Sequence, residues 1–137
     1  LSGSLFSVND ISGTSILEVF SDDTVTIGDF AAPVLHTSVT ANANSGATVI
    51  YDGIPTSSYS AAFFEYTAKS ASNARSGKIT SVWIPGTTNI TSSQTSSPDI
   101  GDTSGFAFTV ILSGANAVLT GSATSNSWVV KTSVRAI

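Results

Sequence analysis

The chain has no cysteine and no methionine, four prolines and few charges. Without cysteine, disulfides, thiol catalysis and Cys-based metal sites are excluded. Without methionine, Leu1 is an unexpected native start, and the chain reads as a fragment or processed product. Charged residues make up 10%, against the ~25% usual in globular domains. Ser and Thr, about a third of the chain, must therefore supply most of the polar surface. Five Lys and Arg against nine Asp and Glu leave a net charge of −4, which argues against nucleic acid as a partner. No apolar run approaches the ~20 residues of a membrane span, and no signal-peptide pattern is visible, so no membrane insertion is expected. With 137 residues and 41% hydrophobic content, the chain is too apolar for disorder and long enough for one cored domain or a small domain plus an appendage.

What is present is alternation with period two. Leu5-Phe6-Ser7-Val8-Asn9, Ser15-Ile16-Leu17-Glu18-Val19-Phe20 and Thr24-Val25-Thr26-Ile27-Gly28 read as three short strands separated by turn residues. A unit this small needs staples or partner chains, and cysteine is absent, so an oligomer is expected. Residues 29–33, which include Pro33, read as a linker. Beyond it, strand-like runs cover 34–40, 47–51, 59–69, 78–84, 106–112, 117–123 and 128–134. Such spacing suggests an antiparallel sandwich or jelly-roll-like barrel. Residues 60–66 could be helical, but Phe64, Tyr66 and Ala68 alternate against Phe63, Glu65 and Thr67, which favours a strand. The nearly all-apolar 106–112 reads as a central strand buried on both faces, and 87–105 as a long loop.

Chemistry-bearing residues are sparse. His36 is the only histidine and no Gly-x-Ser-x-Gly elbow accompanies it, so it reads as a strand residue or a contact across a trimer axis. Asp22 and Asp23 point apart as turn neighbours, a poor pair for glycoside cleavage. Asp22, Asp23 and Asp29, or Asp99 and Asp102, could gather round a cation, but no calcium-loop motif is present and they read as turn caps. No catalytic residue, metal or cofactor is expected. Binding is the better prospect. Trp83 precedes Ile84-Pro85-Gly86 at the mouth of the long loop, which carries Thr87 and Asn89; Lys69, Arg75 and Lys78 cluster around 70–77, which reads as a polar loop carrying the chain's one local positive charge. Asn89-Ile90-Thr91 is also a glycosylation sequon, one that a Ser/Thr/Asn-rich chain produces by chance. The plainer reading of Trp83 and Trp128 is as core residues, since a seven-strand sandwich needs large side chains.

The run Leu5-Phe6-Ser7-Val8-Asn9-Asp10-Ile11-Ser12-Gly13, with Ile16–Asp23 and Val25-Thr26-Ile27-Gly28 after it, resembles a segment recurring in structural proteins of tailed bacteriophages, tail fibres among them, especially those infecting marine cyanobacteria. Phe63-Phe64-Glu65-Tyr66, Arg75-Ser76-Gly77-Lys78-Ile79, Val82-Trp83, Pro98–Thr103 and Trp128-Val129-Val130-Lys131 resemble the domains that follow it. The resemblance implies a virion protein: residues 1–30 as a trimeric β-stalk and 31–137 as a β-sandwich head binding a host-surface glycan or protein, alongside other virion proteins, without catalysis. The His-x-His metal motif of some fibre tips is absent. Leu5, Phe6, Val8, Ile16, Leu17, Val19, Phe20, Val25 and Ile27 are the expected trimer contacts. Trp83, Thr87, Asn89, Arg75 and Lys78 are the expected receptor contacts. A capsid decoration protein or head fibre is the alternative reading, and a depolymerase a third.

Overall fold

The structure is a computed structural model and describes residues 3–28, 34–125 and 127–137. Among them the chain forms eleven strands and no helix. Three short strands open it: β1 (Ser4–Asn9), β2 (Ser15–Phe20) and β3 (Val25–Ile27). Then come β4 (Val34–Ala43), β5 (Gly46–Pro55), β6 (Ala61–Ser70) and β7 (Asn73–Trp83). The last four are β8 (Ile90–Ser96), β9 (Phe106–Ser113), β10 (Asn116–Ala123) and β11 (Trp128–Ala136). The expected linker at 29–33 lies outside the described residues.

Turn chemistry sets the strand ends. Asp10 accepts bonds from the Ser12 and Thr14 amides at 2.8 and 2.9 Å, so the β1–β2 reversal is an Asx-type turn completed by Gly13 at φ +86°. Asp22 caps the next turn through the Thr24 amide, and Asp102 accepts from Ser104. These carboxylates cap turns, as their positions in the sequence suggest. Among the described residues no group of three or more His, Cys, Asp or Glu could hold a metal; Asp29 lies outside them.

An eight-stranded antiparallel sheet has the order β1-β2-β3-β4-β11-β6-β7-β8, and β9 and β10 form a separate hairpin with β5 alongside β10. The last strand, β11, sits between β4 and β6, pairing Val130 with both Ala41 and Ala68. Its alternation is complete: Trp128, Val130, Thr132, Val134 and Ala136 are buried, while Val129, Lys131 and Ser133 are exposed. On β6, Ala62, Phe64, Tyr66 and Ala68 turn inward in the same way. These side chains meet residues of β5, β9 and β10 in one apolar cluster. Tyr66 of the large sheet lies 4.4 Å from Phe108 of the hairpin, and Phe106 stacks on Trp128 at 5.1 Å, ring centroid to centroid. Such pairs add about 0.5–1.5 kcal/mol each beyond the area they bury.

Two expectations about this region need correction. The 106–112 run is not buried on both faces. Phe106 and Val110 are buried while Ala107, Thr109 and Ile111 are exposed, because β9 has a neighbour on one side only. Burial in succession occurs at the start of β10, at Ala117, Val118 and Leu119, while Ser122 further along the same strand is exposed. Nor is 87–105 all loop: β8 pairs with β7 from Gly77↔Ser96 to Trp83↔Ile90. Six of its seven residues are exposed, so an edge strand of hydroxyls carries no apolar alternation to announce it.

Gly77 explains how β8 docks. A Cβ there would collide with the Thr95 carbonyl oxygen and lie 2.8 Å from the Tyr66 hydroxyl. Gly77→Ala is expected to cost about 1–3 kcal/mol through this overpacking and to loosen β8 first. Faster amide exchange across 90–96 than in β6 and β11 is the expected readout; unchanged exchange there would contradict it.

Candidate functional site

Alternation along β4, β11, β6 and β7 gives the large sheet an outward face opposite the core. Register then aligns residues far apart in sequence. One row runs Thr95, Lys78, Glu65, Ser133, Ser38 across β8, β7, β6, β11 and β4. The adjacent row runs Ser93, Thr80, Phe63, Arg135, His36 and continues through Val25 and Val19 to Phe6. On the other side lies Ser76, Thr67, Lys131, Thr40.

This face holds a shallow trough of about 700 Å³, lined by Ser38, Thr40, Glu65, Thr67, Lys78 and Lys131 among others. A deeper recess of about 220 Å³ adjoins it, sharing Glu65, Lys78 and Ser133 and adding His36, Phe63 and Arg135. Two contacts organise the charges. The Lys78 ammonium meets the Glu65 carboxylate at 2.7 Å, and the Arg135 guanidinium lies 4.2 Å from the centre of the Phe63 ring. The hydrogen bond from Lys78, then its charge, hold the Glu65 carboxyl below its ordinary range, with a smaller contribution from Arg135. A carboxylate held this way is an acceptor, not an acid. His36 and Ser133 share the recess with Glu65, but their side chains are not joined to one another by hydrogen bonds. Ring stacking fixes Arg135 in orientation while leaving its N–H fork free to meet an oxyanion.

The residues expected from the sequence distribute differently. Trp83 is 3% exposed and its indole N–H donates to the Tyr59 carbonyl at 2.8 Å, so it belongs to the core and is no receptor contact. Trp128 is equally buried. Arg75 lies in β7, not in a loop, because the turn after β6 is confined to Ala71 and Ser72. It points to the core side, where Nη2 donates to the Phe106 carbonyl at 2.9 Å and ties the large sheet to the hairpin. Thr87 and Asn89 are exposed but build the β7–β8 turn: the Thr87 hydroxyl donates to Ile84 O and accepts from the Asn89 amide. Of the five, Lys78 alone stands in the trough. Sequence reasoning missed Phe63, Glu65, Lys131 and Arg135. Lys131 and Arg135 lie four residues apart on one side of β11, but nothing local placed β11 beside β6.

The residues expected as trimer contacts divide between the two sides of the ribbon. Phe6, Val8, Leu17, Val19, Val25 and Ile27 form two rows on one side of the β1–β3 ribbon, continuous with His36 and Val34 of β4. Ile16 and Phe20 lie on the other side. Leu5, Phe6, Val8, Ile16 and Ile27 are each 40–70% exposed. The ribbon joins the rest of the chain edge-on, through the Val25–His36 to Ile27–Val34 ladder, and adds nothing to the core cluster. Below it, Phe20 and Asp22 border a small cleft with Leu35 and Tyr59. Burial, reinforced by the charge of Asp22, pushes the nearby Tyr51 phenol up to about 12.

Compared with protein-family models, with curated proteins and with solved structures, the chain matches none.

Proposed function

We propose that this chain is a virion structural protein, the C-terminal part of a homotrimeric phage tail fibre that attaches to the host surface without bond-breaking chemistry. Its β1–β3 ribbon is the stalk, and the core-bearing remainder is an antiparallel, jelly-roll-like β-sandwich head. The observation that carries this reading is the uncovered ribbon. Apolar side chains stand exposed on both of its sides, a state that a soluble chain avoids over so long an edge. A two-fold contact would bury one side and leave the other wet. A closed ring of three lets each ribbon meet one neighbour with each side, which suits a heterologous interface that closes. Few charges, many hydroxyls and the resemblance of the ribbon sequence to phage fibre segments agree with this reading.

Light scattering on the full chain tests it, with an expected mass three times the 13.9 kDa of one chain. A monomer at micromolar concentration would overturn the stalk assignment. Antibody labelling of virions then separates locations: tail labelling supports a fibre, whereas capsid labelling supports a decoration protein.

A further inference from the structure

We infer that the outward trough and its adjoining recess form a binding site for an acidic polysaccharide, with Lys131 of the trough and Arg135 of the recess as the main anion contacts. The inference rests on the attachment reading and names its ligand class. Charge segregation is the first observation. Of the chain's five cations, Lys69, Lys78, Lys131 and Arg135 stand on the outward face of β6, β7 and β11. Among the described acidic residues, only Glu65 stands on the outward side of these three strands. Four cations against one carboxylate give a local excess of three positive charges on a chain whose net charge is −4. Lys78 is held by Glu65, while Lys69, Lys131 and Arg135 form no ion pair among the described residues.

The lining is the second observation. Ser38, Thr40, Thr67, Ser76 and Ser133 surround the cations with hydroxyls that both donate and accept, as sugar hydroxyls require. The trough crosses four strands, a span of about 14 Å at the usual inter-strand spacing, which suits a few linked sugar rings. Its lining carries no exposed aromatic stack for bare bases, since Arg135 covers the Phe63 ring. A guanidinium fork set at the wall of the recess matches an oxyanion, either a uronate carboxylate or a sulfate ester.

Calorimetric titration of the full chain with oligogalacturonate, dextran sulfate and neutral dextran tests this. Binding to one or both acidic glycans, weakening with added salt and absent for neutral dextran, is the expected result. The responding glycan identifies the acid group. Arg135→Gln and Lys131→Gln should each weaken binding about tenfold, the value of one charge-assisted hydrogen bond. Ser122→Ala on the other sheet should leave it unchanged, and unaltered melting curves exclude misfolding. Equal affinity for neutral dextran, insensitivity to both variants, or tighter binding of single-stranded DNA would overturn the inference. A trimeric, host-binding protein that ignores both acidic glycans removes this inference and keeps the attachment reading. A chain that binds them but is absent from virions does the reverse.

Discussion

Trp83→Ala is expected to lower the unfolding free energy by about 3–5 kcal/mol, the range for removing a large aromatic from a packed core. The residue closes the end of β7 at 3% exposure, and its N–H is the donor that satisfies the Tyr59 carbonyl. Truncation leaves both a void and an acceptor without its partner. Domains of this size are stable by about 5–15 kcal/mol in total, so the variant should populate unfolded chains on mild warming. Trp83→Phe keeps most of the packing and loses the hydrogen bond, so it should fall between. Urea denaturation reads the midpoint of each. Host attachment per folded molecule should not change. A Trp83→Ala protein of full stability that no longer attaches would restore the receptor role which its position before the β7–β8 turn suggests in the sequence.

Charging the ribbon should have the second large effect. Val19 and Val25 face each other across β2 and β3, half-buried in the single chain and next to Phe6 and His36 in the same row. In the proposed trimer a neighbour covers the ribbon end of this row, Val25 to Phe6, and leaves the stretch from His36 to Arg135 open. Val19→Asp with Val25→Asp would bury two carboxylates per chain without partners, at several kcal/mol each. Because the assembly carries three copies, the trimer should give way entirely to monomer by light scattering. The core cluster draws on no ribbon residue, so the β-type circular dichroism of the body should persist. Val49→Asp, at an exposed position on β5, should stay trimeric. A doubly charged ribbon that still assembles would place the interface elsewhere.

The positions of β6 and β11 were legible because each alternates locally. Phe64, Tyr66 and Ala68 on β6 and Trp128, Val130 and Val134 on β11 show their inward side without reference to any other strand. The turns at Asp10–Gly13 and Asp22–Thr24 were legible for the same reason, since an Asx cap acts over two to four residues. The ribbon's apolar character and the paucity of charge were plain from composition. β8 was not legible, because a strand exposed on both sides owes its existence to β7 and not to its own pattern. Arg75 was misread because a two-residue turn hid behind a run of polar residues, and a strand cation is not distinguishable there from a loop cation.

The sequence alone thus determined an all-β chain, its strand faces and its greasy leading ribbon, all properties written in neighbours a few residues apart. Only the tertiary structure decided that the C-terminal strand enters between β4 and β6, bringing Arg135 to Phe63 and His36, and Lys131 to Thr67 and Thr40. That pairing joins residues some sixty to one hundred positions apart. Its choice rests on how well whole sheets bury their inner sides against β5, β9 and β10, a sum over the entire core that no local pattern contains.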